Sequence, residues 1–107
     1  LPKAPQVDPD SGALVGGPNS LPNAVSFLER ETDILHHTIF EARITPDESR
    51  KLKELKIAID QLYAQCDVMR VQYPGDLLSV DSHQQRLKKL QARHAELARL
   101  LFTKKYF

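Results

Sequence analysis

Four histidines and one cysteine are the side chains in this sequence best suited to metal binding or nucleophilic chemistry. His36 and His37 are neighbours, so on a helix their side chains diverge by about 100°. His83 and His94 are separated by about 16 Å of helical rise. No pair has the i, i+4 spacing that places two ligands on one face of a helix. The sequence therefore predicts neither a metal site nor a bound cofactor.

Cys66 is the only cysteine, so the chain cannot form an intramolecular disulfide. It falls in an apolar helical pattern, where a cysteine acts as a small hydrophobic residue. Nucleophilic catalysis would need an oriented base beside it, and the sequence has no glycine-rich phosphate loop, GxSxG or HExxH pattern. We therefore predict a protein that is not an enzyme. A lone cysteine mildly favours an intracellular, cytoplasmic setting.

Three segments that follow residue 20 have apolar residues three and four positions apart, which is typical of amphipathic helices. The predicted helices cover residues 23–43, 46–72 and 80–102. The second has the clearest start, because Thr45, Pro46 and Glu48 match a capping box with proline at the first helical position. Pro74 and Gly75 end it, since proline cannot continue a helix and glycine permits a turn.

The short connections between these helices favour antiparallel neighbours. The predicted fold is all-α, an antiparallel three-helix bundle over residues 21–107. The alternative is a helical hairpin of the last two helices with coiled-coil-like packing and the first helix placed elsewhere. Residues 1–20 hold four of the seven prolines and three of the four glycines, which predicts a flexible N-terminal arm or linker.

Two histidines, His83 and His94, fall in the apolar seam of the third helix. Folding the chain at its two connections places His94 in one layer with Thr32 and Ile59. A buried imidazole without a hydrogen-bond partner costs on the order of 1–3 kcal/mol, so we predict that His94 bonds Thr32 or a nearby backbone carbonyl. Thr32 and His94 would then form a polar layer that fixes the helix register. The alternative is a histidine that loosens the bundle at acid pH.

The second helix has apolar residues on two opposite faces, and the first helix has others outside its seam. Such residues, when exposed, commonly mark partner sites. They predict a protein–protein interaction module (an adaptor, scaffold or complex subunit) that binds a helical partner, or a second copy of itself, by helix packing. A neighbouring domain that covers these residues is the structural alternative. The candidate contacts are Ile57, Ala64, Val68 and Val71, followed by Phe27 and Phe40.

Charge is distributed unevenly along the chain, although the net charge is only +1. Residues 1–49 hold three basic and eight acidic side chains, whereas residues 83–107 hold seven basic side chains and one acidic. Attraction between an acidic first helix and a basic third helix is the simpler explanation. The alternative is a basic face that binds nucleic acid or an acidic membrane surface. Its candidate residues are Arg86, Lys88, Lys89 and Arg93.

Overall fold

Three α-helices and one short 3₁₀ turn make up the computed structural model, which describes residues 20–41 and 45–103 apart from the side chain of Asp76. The helices are α1 (Leu21–Phe40), α2 (Pro46–Gln72) and α3 (Leu77–Thr103), and the turn Pro74–Asp76 joins α2 to α3. Within these residues there is no strand, which confirms the all-α prediction. The predicted flexible arm lies outside the described residues, apart from Ser20.

Side-chain contacts along α3 establish the relative directions of the helices. Two ion pairs join α1 to α3 in the same chain order, Glu29 to Arg86 and Asp33 to Arg93. Three hydrogen bonds join α2 to α3 in the opposite order, Arg70 to Asp81, Asp67 to Gln84 and Asp60 to Gln91. The helices therefore run up, down and up, as an antiparallel three-helix bundle, and α1 packs within the same chain.

The core is aliphatic, and its residues follow the three-and-four spacing of each helix. On α2 the buried residues are Leu52, Leu55, Ile59, Leu62, Cys66 and Met69. On α3 the interior position that was predicted for His83 belongs instead to Gln84, which is only 7% exposed, while His83 is half-buried. Gln84 tolerates burial because its amide donates to the Tyr63 carbonyl and to the Asp67 carboxylate of α2.

Helix α2 begins and ends at the predicted residues because its signals are local. The Thr45 hydroxyl accepts a hydrogen bond from the Asp47 amide at 3.2 Å, and the Glu48 carboxylate accepts one from the Thr45 amide at 2.7 Å. The Thr45 side chain also accepts from the Glu48 amide, which together with the bond from the Thr45 amide to Glu48 makes a capping box. Helix α1 starts two residues earlier than predicted, with Pro22 in its first turn. It ends at Phe40, before residues 42–44, which lie outside the described residues.

Helix α3 begins at Leu77, three residues earlier than predicted. Proline suits the first position of a helical turn, so the chain resumes helical geometry at Pro74 directly after α2 ends. The backbone of Gly75 is not left-handed, and a Cβ added there would meet no atom within 4 Å. The connection is therefore a helical turn rather than an open loop. None of the helices in the described part is long and apolar enough to cross a membrane.

Candidate protein-binding surfaces

Exposed large hydrophobic side chains concentrate around the α2–α3 turn. Of the nine such side chains in the described residues, five lie within residues 68–78. We call this group the hairpin-end surface, and its members are Val68, Val71, Tyr73, Leu77 and Leu78. Val71 is 83% exposed and Leu78 is 90% exposed. Leu78 points outward because it lies two positions before the buried Val80, and residues two apart on a helix are rotated by about 200°.

The four residues predicted as contacts on α2 lie together on one face of that helix. Ile57 is 58% exposed and Val68 is 38% exposed, and Ala64 and Val71 are also exposed. This outer stripe faces away from the core, and no described helix covers it. It spans about 21 Å from Ile57 to Val71 and runs directly into the hairpin-end surface.

A polar cluster fixes the two helices beside this surface. Arg70 donates a hydrogen bond to Asp81 at 2.8 Å and another to the side chain of Gln84. The bond to Asp81 raises the pKa of the Arg70 guanidinium above its usual value. Asp67 lies 3.9 Å from Arg70 and accepts from Gln84. Sequence reasoning did not identify Gln84, although its four-residue step from Val80 and three-residue step to Leu87 match the seam.

A second apolar feature is a groove of about 270 Å³ between α1 and α2, which we call the α1–α2 groove. These two helices pack less closely on each other than either packs on α3. Its walls include the half-buried Phe27, the 50% exposed Ile34 and Ala58. The charged residues that line it are Glu31, Glu48, Glu54 and Lys51. The groove is therefore concave and apolar, with an excess of negative charge.

Phe40 lies on a different surface from Phe27, with which it was grouped by sequence. It is 74% exposed and contacts the ring of His36 edge-on, with 6.3 Å between ring centroids. Both residues line a shallow depression with His37 and Arg93. Phe27 and Phe40 therefore cannot contact one partner helix together, because they face opposite sides of α1.

The four residues of the predicted basic face differ in whether they bind α1. Arg86 binds Glu29 with two nitrogens, of which Nε lies 3.2 Å from the carboxylate, and the Arg93 guanidinium lies 2.6 Å from the Asp33 carboxylate. Two of the four cations of the predicted basic face therefore bind α1, as expected if an acidic first helix attracts a basic third helix. Lys88 and Lys89 are exposed and form no ion pair with a described residue. Binding of nucleic acid or an acidic membrane stays a prediction.

The two residues of the predicted polar layer are buried but do not bond each other. Thr32 is 0% exposed and donates to the Leu28 carbonyl of its own helix at 2.7 Å. His94 is 8% exposed, and its Nε2 lies 2.6 Å from the Leu52 carbonyl of α2. A carbonyl oxygen only accepts, so Nε2 is the donor. The backbone carbonyl, rather than Thr32, is the partner, and the bond joins α3 to α2.

The candidate chemical groups are dispersed. Cys66 is fully buried, and this burial raises the pKa of its thiol to about 11. Among the described residues, no three His, Cys, Asp or Glu side chains form a group that could hold a metal ion. Comparisons with protein-family models, with curated proteins and with solved structures found no match.

The hairpin-end surface and the α1–α2 groove differ in the partner geometry that they favour. The outer stripe of α2 is a convex ridge that ends in the hairpin-end surface. The groove is a channel between two helices, with glutamates at its edges. A helix laid along the ridge would contact Ile57 and Val68, whereas a helix laid in the channel would contact Phe27 and Ile34. One substitution on each surface can therefore separate them.

Proposed function

We propose that this chain is a non-catalytic protein-interaction module, an adaptor, scaffold or complex subunit, that binds another protein by helix packing. The site is the outer stripe of α2 together with the hairpin-end surface. The observation that supports it is the concentration of exposed large hydrophobic side chains within residues 68–78. Burying one valine or leucine side chain in a complex contributes roughly 1.5–3 kcal/mol, so a few of these contacts would give substantial affinity.

The spacing of the outer stripe supports a helical partner. Ile57, Ala64, Val68 and Val71 lie at intervals of seven, four and three residues. These intervals match the anchors through which an amphipathic helix contacts a second helix. Ala64 is the small residue near the middle of the stripe, and it lets a partner helix approach closely.

The polar cluster supports the proposal because it orders the surface before a partner arrives. Arg70 links α2 to Asp81 of α3, and the buried Gln84 links the same two helices. Val71 follows Arg70 directly and Leu78 lies three residues before Asp81, and both belong to the joined helix ends. Binding to a preorganised surface costs less conformational entropy than binding that must order a loop.

Charge near the hairpin-end surface favours a different protein over a second copy. The side chains of Asp67 and Asp81 are 68% and 53% exposed and share the single cation Arg70. A symmetric dimer places the same patch of each copy against the other, which would bring the surplus carboxylates of both copies together. Light scattering measures self-association. If the chain forms a dimer that dissociates when Leu78 is substituted, the partner at this surface is a second copy rather than a different protein.

The test uses two glutamine substitutions at exposed positions and one matched control. Leu78→Gln and Val71→Gln remove apolar contacts from the hairpin-end surface, and Phe102→Gln removes a 73% exposed ring from the opposite end of the bundle. Surface changes of this kind usually alter stability by less than about 0.5 kcal/mol, and circular dichroism checks that the helices persist. The variants are compared in pull-downs from a native lysate, and quantitative mass spectrometry measures the retained proteins. We expect Leu78→Gln and Val71→Gln to lose proteins that the unaltered chain and Phe102→Gln retain. Equal retention by all variants would contradict the proposal.

The electrostatic alternative makes a different prediction. Lys88 and Lys89 are the cations of the predicted basic face that no described carboxylate neutralises. Charge reversal at both positions should weaken binding to nucleic acid or to anionic vesicles, and the affinity should fall steeply with added salt, because phosphate contacts release counterions. Binding that is insensitive to salt would reject this alternative.

A further inference from the structure

We propose that the α1–α2 groove is a second docking site, which takes an amphipathic helix with lysine or arginine beside its apolar face from a partner protein. This site is separate from the outer stripe of α2. The inference does not depend on the function proposed for that stripe.

The shape of the groove supports a helical occupant. Helices α1 and α2 each pack closely on α3 but less closely on each other, which leaves a channel on their outer side. Phe27 and Ile34 are on α1, seven positions apart, and Ala58 is on α2. A further helix in this channel would contact both α1 and α2, as the fourth helix of a bundle contacts two neighbours. It would bury Ile34, which is half-exposed without an occupant.

The charge of the groove selects the chemistry of that helix. Three glutamates, Glu31, Glu48 and Glu54, line it with one lysine, Lys51. Hydrogen bonds from Thr45 hold the pKa of Glu48 below its usual value, so this carboxylate stays ionised at neutral pH. The lining therefore has a surplus of negative charge. Lysine or arginine side chains beside the apolar face of the occupant would complement this surplus. Aspartate or glutamate side chains in the same positions would be repelled.

Helix α3 of a second copy is a poor occupant of the groove. The lysines and arginines of α3 that form no ion pair with a described residue are Lys88, Lys89 and Arg99. Between residues 82 and 99, however, the only exposed apolar side chains of that helix are Ala92 and Ala95. Two methyl groups cannot fill a groove of about 270 Å³. The occupant must instead carry large aliphatic or aromatic side chains next to its cations.

The probe that tests this site is a fluorescent 14-residue peptide of leucine and lysine in the pattern of an amphipathic helix. A matched peptide has glutamate in place of every lysine. We expect saturable binding of the lysine peptide by fluorescence anisotropy, with the glutamate peptide at least about tenfold weaker. The absence of saturable binding by the lysine peptide, or equal binding of both peptides, would overturn the proposal.

Two isoleucines of similar exposure locate the bound peptide. Ile34 is 50% exposed in the groove and Ile57 is 58% exposed on the outer stripe of α2. We expect Ile34→Gln to weaken binding by about fivefold or more, consistent with losing part of one buried aliphatic side chain, and Ile57→Gln to leave it unchanged. The reverse result would place the peptide on the outer stripe, which would refute the groove site and leave the proposed function intact.

A charge substitution tests the specificity of the groove. Glu31→Gln combined with Glu54→Gln removes two of its three carboxylates without changing the apolar walls. We expect weaker binding of the lysine peptide and a smaller loss of affinity when salt is added. Lysine-peptide binding that kept the same affinity and salt dependence in this variant would contradict the assignment of a basic partner.

Discussion

The side chain of His94 on α3 binds the backbone of α2, with Nε2 2.6 Å from the carbonyl oxygen of Leu52. That carbonyl lies within a helix, and a carbonyl oxygen has two lone pairs, so it can accept from the imidazole and from its own helix at once. The histidine is thereby satisfied at a seam position where a leucine would otherwise fit. The bond adds a link between α2 and α3 without removing one from α2.

Replacing His94 with leucine should leave stability unchanged or raise it by up to about 1 kcal/mol. Leucine is apolar, and the Leu52 carbonyl keeps its acceptor role within α2, so no buried polar atom is left alone. Urea unfolding measures the change. His94→Ala is the comparison, because the cavity it leaves should cost about 2–4 kcal/mol. A loss of about 2 kcal/mol or more for His94→Leu would show that the hydrogen bond stabilises the bundle directly.

The Glu29–Arg86 ion pair should show measurable coupling. Both side chains are about one-third exposed, so solvent screens the pair, and a double-mutant cycle of Glu29→Gln with Arg86→Met should give about 0.5–1 kcal/mol. The coupling should shrink in about 1 M salt. A second cycle of Glu29→Gln with Lys88→Met is the control, since Lys88 forms no pair with a described residue, and its coupling should be near zero.

His83 should make the bundle less stable in acid. Burial, and then the nearby Arg86, lower the pKa of His83 below its usual value of 6.5. The unfolded chain therefore binds this proton more readily, and the stability that His83 contributes is complete above pH 6.5 and falls as pH falls through the lowered pKa. His83→Gln should reduce the slope of unfolding free energy against pH in that range. Arg86→Met should reduce this slope by a smaller amount, because Arg86 is the second cause of the lowered pKa after burial. An unchanged slope in His83→Gln would refute this assignment.

The Cys66 thiol should resist alkylation while the protein is folded. With a pKa of about 11, only about 10⁻⁴ of the thiol is ionised at pH 7, and the side chain has no contact with solvent. Labelling monitored by mass spectrometry should be slow and should accelerate in urea. A cysteine placed at the exposed position 64, as Ala64→Cys with Cys66→Ser, should label at the rate of a free thiol. Rapid native labelling of Cys66 would mean that the bundle opens locally.

Gly75→Ala should stabilise the protein by about 0.4–1 kcal/mol. Glycine is not required at this position, because its backbone is not left-handed and an added Cβ would meet no atom within 4 Å. Alanine restricts the unfolded chain without straining the folded turn. Chemical denaturation measures the gain, and a loss of stability would show that the turn needs the freedom of glycine.

Sequence reasoning worked where the signals are local. The bounds of α2 follow from Thr45 and Glu48 at one end and Pro74 just beyond the other, all of which act through neighbouring backbone groups. It was less accurate for α3, because a proline that ends one helix can also begin the next helical turn. The predicted start at residue 80 therefore leaves Leu77 and Leu78 in a connection, whereas both lie on α3.

Grouping residues into surfaces required the tertiary structure. Phe27 and Phe40 both lie outside the seam of α1, but only the positions of α2 and α3 show that one faces the groove and the other faces a separate depression. The choice of Gln84 over His83 for the interior likewise depends on partners from α2, at the Tyr63 carbonyl and the Asp67 carboxylate. Spacing within one helix does not contain that information.

Because the described part of the bundle has an odd number of helices, the start of α1 and the end of α3 lie at opposite ends. The chain passes into α1 at Leu21, at the end of the molecule where the α2–α3 turn lies, and leaves α3 at Thr103, at the other end. The 27 residues of α3 separate these ends by about 40 Å. A protein held at the hairpin-end surface would therefore be next to Leu21 and a full helix length from Thr103. A tag attached at Thr103 would thus stay clear of such a partner.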